Sequence, residues 1–266
     1  MIVIINGGTQ GLGEAIARRL LETKIASGIA LVGRSTERGE RLASSLSTNG
    51  VPTHFFEADI SDIDAPERIV QYTIEMFNRV DAVVNVAAAT SRATLFDDTP
   101  EHFDRQMAVN VKGPYFLIQE AARQMIQRGH GGSIVNVGST TGHGGQTKLT
   151  SYAMSKGALT IMTKNLAFGL MRHGIRVNQV NPGWMETESE HQTQVTQDGA
   201  PDNWLELAAP TRPLGRLVQP SEVANLVVYC LSDDAGLLTG NCIDVDQSVQ
   251  GAGDPPLPSV SDTISP

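Results

Sequence analysis

Seven short apolar runs, separated by longer stretches of helical period, constrain this chain most. They are IVIIN (2–6), GIALVG (28–33), THFFEA (53–58), DAVVNV (81–86), SIVNVG (133–138), IRVNQVN (175–181) and CIDVD (242–246). Most are nearly continuous in hydrophobicity rather than alternating, as expected of parallel strands covered on both faces. Between them, 11–23, 36–47, 64–78, 100–128, 152–173 and 220–232 carry the helical pattern. Pro near the first turn with an acid after it, in Thr99-Pro100-Glu101 and Gln219-Pro220-Ser221-Glu222, marks two helix starts. Repeated strand–helix alternation predicts an α/β chain: one doubly wound parallel sheet of about seven strands with right-handed crossovers, in a single domain over 1–252. Two segments break the rhythm. Residues 182–218 are long, polar and poor in strand signal, and read as a mobile flap. Residues 253–266, GDPPLPSVSDTISP, read as an irregular tail.

Charge and composition narrow what the sheet can carry. A net charge of −9 and a pI near 5.1 argue against a nucleic-acid partner, which asks for a basic stripe. No apolar run approaches the ~20 residues a membrane-crossing helix needs. The opening MIVIINGG has neither the basic start nor the cleavage site of a signal peptide. Cys230 and Cys242 are too few for a disulfide framework, and no zinc or other metal spacing is present. A soluble protein of the reducing cytoplasm is expected.

The first strand runs into NGGTQGLGEAIA, where Gly7, Gly11 and Gly13 open a helix, with Gln10 and Leu12 between them. Glycines let a pyrophosphate approach the backbone, and the helix N-terminus offers free N–H groups and a partial positive charge. At the first strand–helix junction of such a chain, this loop predicts a Rossmann-type dinucleotide site. The end of the second strand distinguishes the dinucleotides. A carboxylate there would bind the adenosine ribose hydroxyls, but the sequence has Gly33-Arg34-Ser35. Arg34 can pair a 2′-phosphate through its planar fork and Ser35 can add a donor, so NADP(H) is favoured, with NAD(H) as the alternative.

In SYAMSKGAL (151–159), Tyr152 and Lys156 stand four apart, on one face of a helix. Alone the pair could be an exposed helix face. Ser139, thirteen residues before Tyr152 and just past the fifth run, changes that, because ligands of such sheets bind beyond the carboxyl ends of the strands. Hydride exchange between a nicotinamide and a carbonyl needs a proton donor and acceptor at the oxygen. A tyrosine near pKa 10 is a poor base at neutral pH, and an ammonium about 4 Å away is expected to lower it by about two to three units. Ser139 is expected to hold the substrate oxygen.

With these motifs in this order, the sequence resembles the short-chain dehydrogenases/reductases of the single-domain type, from residue 2 to about 252. The resemblance implies that Tyr152 is the acid/base, that Lys156 lowers its pKa and binds the nicotinamide ribose, and that Ser139 orients substrate. Asn110 in MAVNVKGPYF matches the helix asparagine supporting a relay water. Asp59 and Ile60 match the adenine edge, Asn85 and Ala87 the turn after strand four, and Pro182, Gly183, Met185 and Thr187 the nicotinamide carboxamide segment. Departures are Asn6 for the usual Thr, Ala88 where Gly is common, and Asp246-Gln247-Ser248 for Asp-Gly-Gly. The polar loop after Ser139, with Thr141, His143 and Gln146, and Trp184 beyond strand six supply candidate substrate contacts. They suit a sugar or polyol alcohol or carbonyl better than an acyl chain. The alternatives are a 3-oxoacyl thioester reductase and a non-catalytic dinucleotide-binding regulatory or scaffold protein. The family resemblance also implies a homo-oligomer, dimer or tetramer, formed through the helices of 100–128 and 152–173.

Overall fold

The structure is a computed structural model and describes residues 1–249, so the expected tail at 253–266 lies outside the described residues. In chain order the regular elements begin with β1 (Ile2–Asn6), α1 (Gly11–Glu22), β2 (Gly28–Gly33), α2 (Thr36–Thr48), β3 (Thr53–Glu57) and α3 (Ala65–Phe77). There follow β4 (Ala82–Asn85), α4 (Pro100–Met107), α5 (Gly113–Arg128), β5 (Gly132–Val137) and α6 (Thr150–Leu170). The chain continues through β6 (Ile175–Pro182), α7 (Glu188–Thr196), α8 (Trp204–Ala208), α9 (Pro220–Leu231) and β7 (Cys242–Val245).

All strand pairings are parallel and the order is β3-β2-β1-β4-β5-β6-β7. The order reverses between β1 and β4, which opens a crevice at their carboxyl ends. Strand side chains alternate between two cores. Val3 and Ile5 face the helices α1, α2 and α9, whereas Ile4 faces α3, α5 and α6, and all three are fully buried. Each such side chain contributes about 1.5–3 kcal/mol of burial. That is why β1 reads as a continuous apolar run. Helix starts follow local chemistry: Thr99 Oγ1 accepts the His102 N–H ahead of Pro100, and Gln219 with Glu222 forms a capping box on α9.

The expected 100–128 segment is helical throughout but not uniformly α. Between α4 and α5, Ala108–Lys112 forms one wide π turn, in which the Gly113 N–H bonds the Ala108 carbonyl five residues back. Gly113 also lies against Ile60, which leaves no room there for a side chain. Residues 182–218, expected to be a mobile flap, begin with the last residue of β6 and carry α7 and α8.

A ladder of buried polar side chains crosses the sheet. Asn6, Asn85, Asn136 and Gln179 are register partners on β1, β4, β5 and β6. Asn6 Nδ2 donates to Asn85 Oδ1 (3.3 Å), Asn85 Nδ2 to Asn136 Oδ1 (3.0 Å), and Asn136 Nδ2 to Thr163 Oγ1 (2.9 Å). The Thr163 hydroxyl passes to Gln179 Oε1 (3.2 Å), Gln179 Nε2 to Asn181 Oδ1 (2.7 Å), and Asn181 Nδ2 to Asp244 Oδ1 (2.9 Å). Cutting the ladder strands buried groups on both sides. Asn85→Ala is expected to cost about 2–4 kcal/mol, seen as a fall in Tm of about 4–16 °C by calorimetry.

Candidate active site

The crevice is a cleft of about 550 Å³ running from the β1–α1 loop to Tyr152 and Lys156. Its floor is the glycine loop. Gly7 has φ +87°, and a Cβ there would overlap the backbone nitrogen of Ala87 and lie 2.7 Å from its Cα. Beside it, α1 begins with no side-chain cap, so its first N–H groups stay available to an anion. These features fit a dinucleotide pyrophosphate. Gly7, Gln10, Gly11 and Leu12 line the cleft, whereas Gly13 packs beneath the loop.

At the end of β2, Arg34 and Ser35 line the cleft and Arg38 joins them from the first turn of α2. Ser35 also caps that helix, accepting the Arg38 N–H at 3.5 Å. Asp59 and Ile60 line the cleft after β3. Burial pushes the Asp59 carboxyl up, but the Ser61 N–H and hydroxyl and the Arg105 guanidinium outweigh it and hold it at about 2. Asp59 is thus a fixed carboxylate at neutral pH, and Arg105, from α4, lines the cleft with it.

Ala87 lines the cleft and Asn85 does not, because its side chain belongs to the sheet ladder. Ala88 needs no glycine-like geometry: among the described residues, Lys24 and Asn78 alone of the non-glycines have positive φ. Pro182, Gly183, Met185 and Thr187 form the opposite wall, and the Thr187 hydroxyl caps α7 by accepting the Glu190 N–H at 3.1 Å.

Tyr152 and Lys156 meet at the inner end of this cleft. Lys156 is 2% exposed, donates from Nζ to the Val137 carbonyl at 2.8 Å, and lies 5.6 Å from the Tyr152 ring centroid. Burial pushes the Tyr152 phenol up to about 12, against hydrogen bonding from Ser139 and the charge of Arg92 that draw it down, while Glu190 adds to the rise. Burial lowers Lys156 to about 8. The expected lowering of Tyr152 by Lys156 is not found: desolvation of the phenolate dominates, and the groups that oppose it are Ser139 and Arg92. Ser139 Oγ also accepts the Thr141 N–H at 3.1 Å.

Asn110 sits on the π turn and is 1% exposed. Its Nδ2 lies within 3.1 Å of the Ala89 carbonyl, Gln106 Oε1 and Ser155 Oγ, and its Oδ1 accepts the Ala89 N–H at 2.8 Å. The side chain thus ties the segment after β4 to α6, and Ser155 in turn donates to the Tyr152 carbonyl at 2.7 Å.

The expected substrate contacts lie outside the cleft lining. Thr141 is buried, Gln146 is exposed, and His143 Nε2 sits 3.0–3.1 Å from the Asp244 carboxylate. Trp184 donates to Glu190 Oε1 at 2.8 Å and stacks on Trp204 with ring centroids 5.6 Å apart. Residues that the sequence did not single out line the cleft: Thr90 and Ser91 after β4, and Ser189 on α7. Arg92 adds a cross-link between these segments, with NH2 3.2 Å from Glu190 and Nε 3.3 Å from Asp198.

Known proteins share this architecture over almost the whole chain. The family described as enoyl-(acyl carrier protein) reductase matches residues 7–249. The (3R)-3-hydroxyacyl-CoA dehydrogenase of Mus musculus is 33% identical over 250 residues, 92% of this chain and 94% of the relative. An NADP-dependent (R)-specific alcohol dehydrogenase of Lentilactobacillus kefiri is 30% identical over 247 residues, with coverage of 92% and 94%. A variant of actinorhodin polyketide ketoreductase solved with NADPH superposes with a TM-score of 0.86 at 28% identity, covering 92% of this chain and 95% of that one. The chain belongs to the short-chain dehydrogenase/reductase family and is an NAD(P)-dependent oxidoreductase acting between alcohols and carbonyls.

Proposed function

We propose that the protein interconverts one secondary alcohol and its carbonyl on a sugar or polyol, with NADP(H) preferred to NAD(H). The observation that carries the reading is Tyr152, hydrogen-bonded to Ser139 and beside Lys156, at the inner end of a glycine-floored cleft. When bound, the nicotinamide supplies or takes up the hydride. In reduction, Tyr152 gives its phenolic proton to the substrate oxygen, and in oxidation it takes that proton back. Ser139 holds the same oxygen, and Lys156 keeps positive charge beside the phenol. Asn110 acts as a positioning residue through Ala89 and Ser155. The polar lining of the cleft, with Thr90, Ser91 and Ser189, supports a hydroxylated substrate over an acyl chain. Turnover of a panel of aldoses, ketoses and polyols tests the assignment, and activity confined to a 3-oxoacyl thioester would replace it.

Arg34, Ser35 and Arg38 support NADP(H), since the cleft ends on two cations and no carboxylate follows β2 directly. Arg34→Ala is expected to raise KM for NADPH by about ten- to a hundredfold, the worth of a charge-assisted contact, with a change of less than about threefold for NADH. Parallel steady-state titrations with both cofactors provide the check.

The proposed assembly is a homo-oligomer, dimer or tetramer. An apolar groove lined by Met107, Val111, Tyr115, Phe116, Ile161 and Leu166 supports it, with Ile161 60% and Phe168 83% exposed on α6. No helix among the described residues is long and apolar enough to cross a membrane. A reducing cytoplasm is proposed for the free thiols Cys230 and Cys242.

A further inference from the structure

Behind the cleft wall lies a polar cluster that the acid/base set does not use. Ser91, in the segment after β4, lines the cleft, and its Oγ is 2.8 Å from Nε2 of His102 on α4. On the other side of the ring, His102 Nδ1 is 2.6 Å from Asp98 Oδ1. Gln106, fully buried, places Nε2 3.2 Å from the Ser91 carbonyl and 3.3 Å from both Ser91 Oγ and His102 Nε2.

The direction of every hydrogen bond in this cluster follows from its neighbours. The Ala89 N–H donates to Asn110 Oδ1, so Asn110 turns its Nδ2 toward Gln106 Oε1, 3.1 Å away. Gln106 must then present its amide N–H group to His102 and Ser91. Asp98, as a carboxylate, only accepts, so the ring proton sits on Nδ1 of His102. Nε2, faced by an amide N–H and a hydroxyl, carries the lone pair and accepts from both. The Ser91 proton is therefore committed to His102, while the two Gln106 N–H bonds are shared among the Ser91 carbonyl, Ser91 Oγ and His102 Nε2. What Ser91 Oγ has left for a molecule in the cleft is a lone pair and no proton.

We infer that Ser91 is an acceptor-only recognition group for substrate, polarised by Asp98, His102 and Gln106, and that it selects alcohols and carbonyls bearing a second hydroxyl. This rests on the alcohol/carbonyl reading of the cleft and refines its substrate to a molecule that donates a hydrogen bond away from the reacting carbon. An ether oxygen at the same position would set lone pair against lone pair and leave the polar group unpaired, the situation in which such sites discriminate most strongly. Asp98, His102 and Gln106 are positioning residues, acting through Ser91.

Matched ketones differing only in that donor provide the test: hydroxyacetone with methoxyacetone, 4-hydroxybutan-2-one with 4-methoxybutan-2-one, and 5-hydroxypentan-2-one with 5-methoxypentan-2-one. Wild type is expected to favour the hydroxy member in kcat/KM by about tenfold or more in at least one pair, the worth of one hydrogen bond. In Ser91→Ala that ratio should fall to about one. In His102→Phe the ring nitrogen is gone and the Ser91 hydroxyl is free both to donate to an ether and to accept from an alcohol, so the ratio should fall toward one. A purely structural role for His102 would lower both members alike, and that result would overturn the inference. So would a hydroxy preference that survives Ser91→Ala, or reduction with no preference in any pair. If wild type reduces none of the six while turning over a sugar or polyol, the assignment of Ser91 fails alone. If it reduces neither the six nor any of the panel, the alcohol/carbonyl reading falls with it.

Discussion

Tyr152→Phe is expected to lower kcat by about a thousandfold while cofactor affinity stays within about twofold, because general acid/base catalysis contributes roughly 10²–10⁴. The substitution removes one hydroxyl and keeps the ring against Lys156, so the cleft keeps its shape. The direction of the pH dependence follows from burial. A phenol pushed up to about 12 is almost wholly protonated at pH 7. It is ready to donate and seldom ready to accept. Reduction is therefore expected to be the faster direction at pH 7, independent of Tyr152 ionisation up to pH 8. Oxidation should rise by about tenfold per pH unit toward the phenol's value. Lys156, lowered to about 8 by burial, loses its charge above that pH, so reduction should decline there. Initial rates in both directions from pH 6 to 10, with fluorescence titration of NADPH, check all three parts. Retention of more than about a tenth of the rate in Tyr152→Phe would remove the tyrosine from the chemistry.

The parts of the molecule legible in the sequence are those set by short-range demands. Val3, Ile4 and Ile5 are apolar on both faces because both faces of β1 are covered, and that pattern alone implies a parallel sheet. Gly7 is glycine because the Ala87 backbone lies against it, a constraint a sequence motif can carry. Helix α7 escaped because ESEHQTQVT has no apolar period, although Thr187 and Glu190 stand three apart, as in a capping box. Arg38 could have been found from Arg34, since the fork of one is repeated four residues on at a helix start. Ser91, Arg92 and Arg105 could not, because their approach to the cleft depends on how the segment after β4 and α4 fold over it. Asn85 carries the opposite lesson. Its place in the turn after β4 suggested a cofactor contact, but its register with Asn6 and Asn136 commits it to the sheet. The Tyr152–Lys156 spacing was readable; the desolvation that decides their protonation depends on the assembled fold.

Gly13→Ala is expected to lower Tm by about 4–8 °C and weaken NADPH binding by about a hundredfold. Helix propensity alone gives the opposite sign, since alanine is favoured over glycine inside a helix by about 1 kcal/mol. What outweighs it is backbone. A Cβ on Gly13 would overlap the carbonyl oxygen of Gly7 and lie 2.8 Å from Gly8 Cα, and neither atom can swing aside as a side chain would. Overpacking of this kind costs about 3 kcal/mol, which leaves a net loss of about 2 kcal/mol after propensity. A loss of that size shifts Tm by about 2–4 °C per kcal/mol in a domain of this length. The strain is relieved by moving the β1–α1 loop, and that loop is the floor of the cleft. Binding therefore falls together with stability, although Gly13 itself does not line the cleft. Gly169 near the end of α6 has nothing within 4 Å of a built Cβ, so Gly169→Ala should leave NADPH binding unchanged and raise Tm slightly. Calorimetry and NADPH titration on the two variants side by side separate the effects. If Gly13→Ala behaves as Gly169→Ala does, the close approach of α1 to Gly7 is not what shapes the cofactor floor.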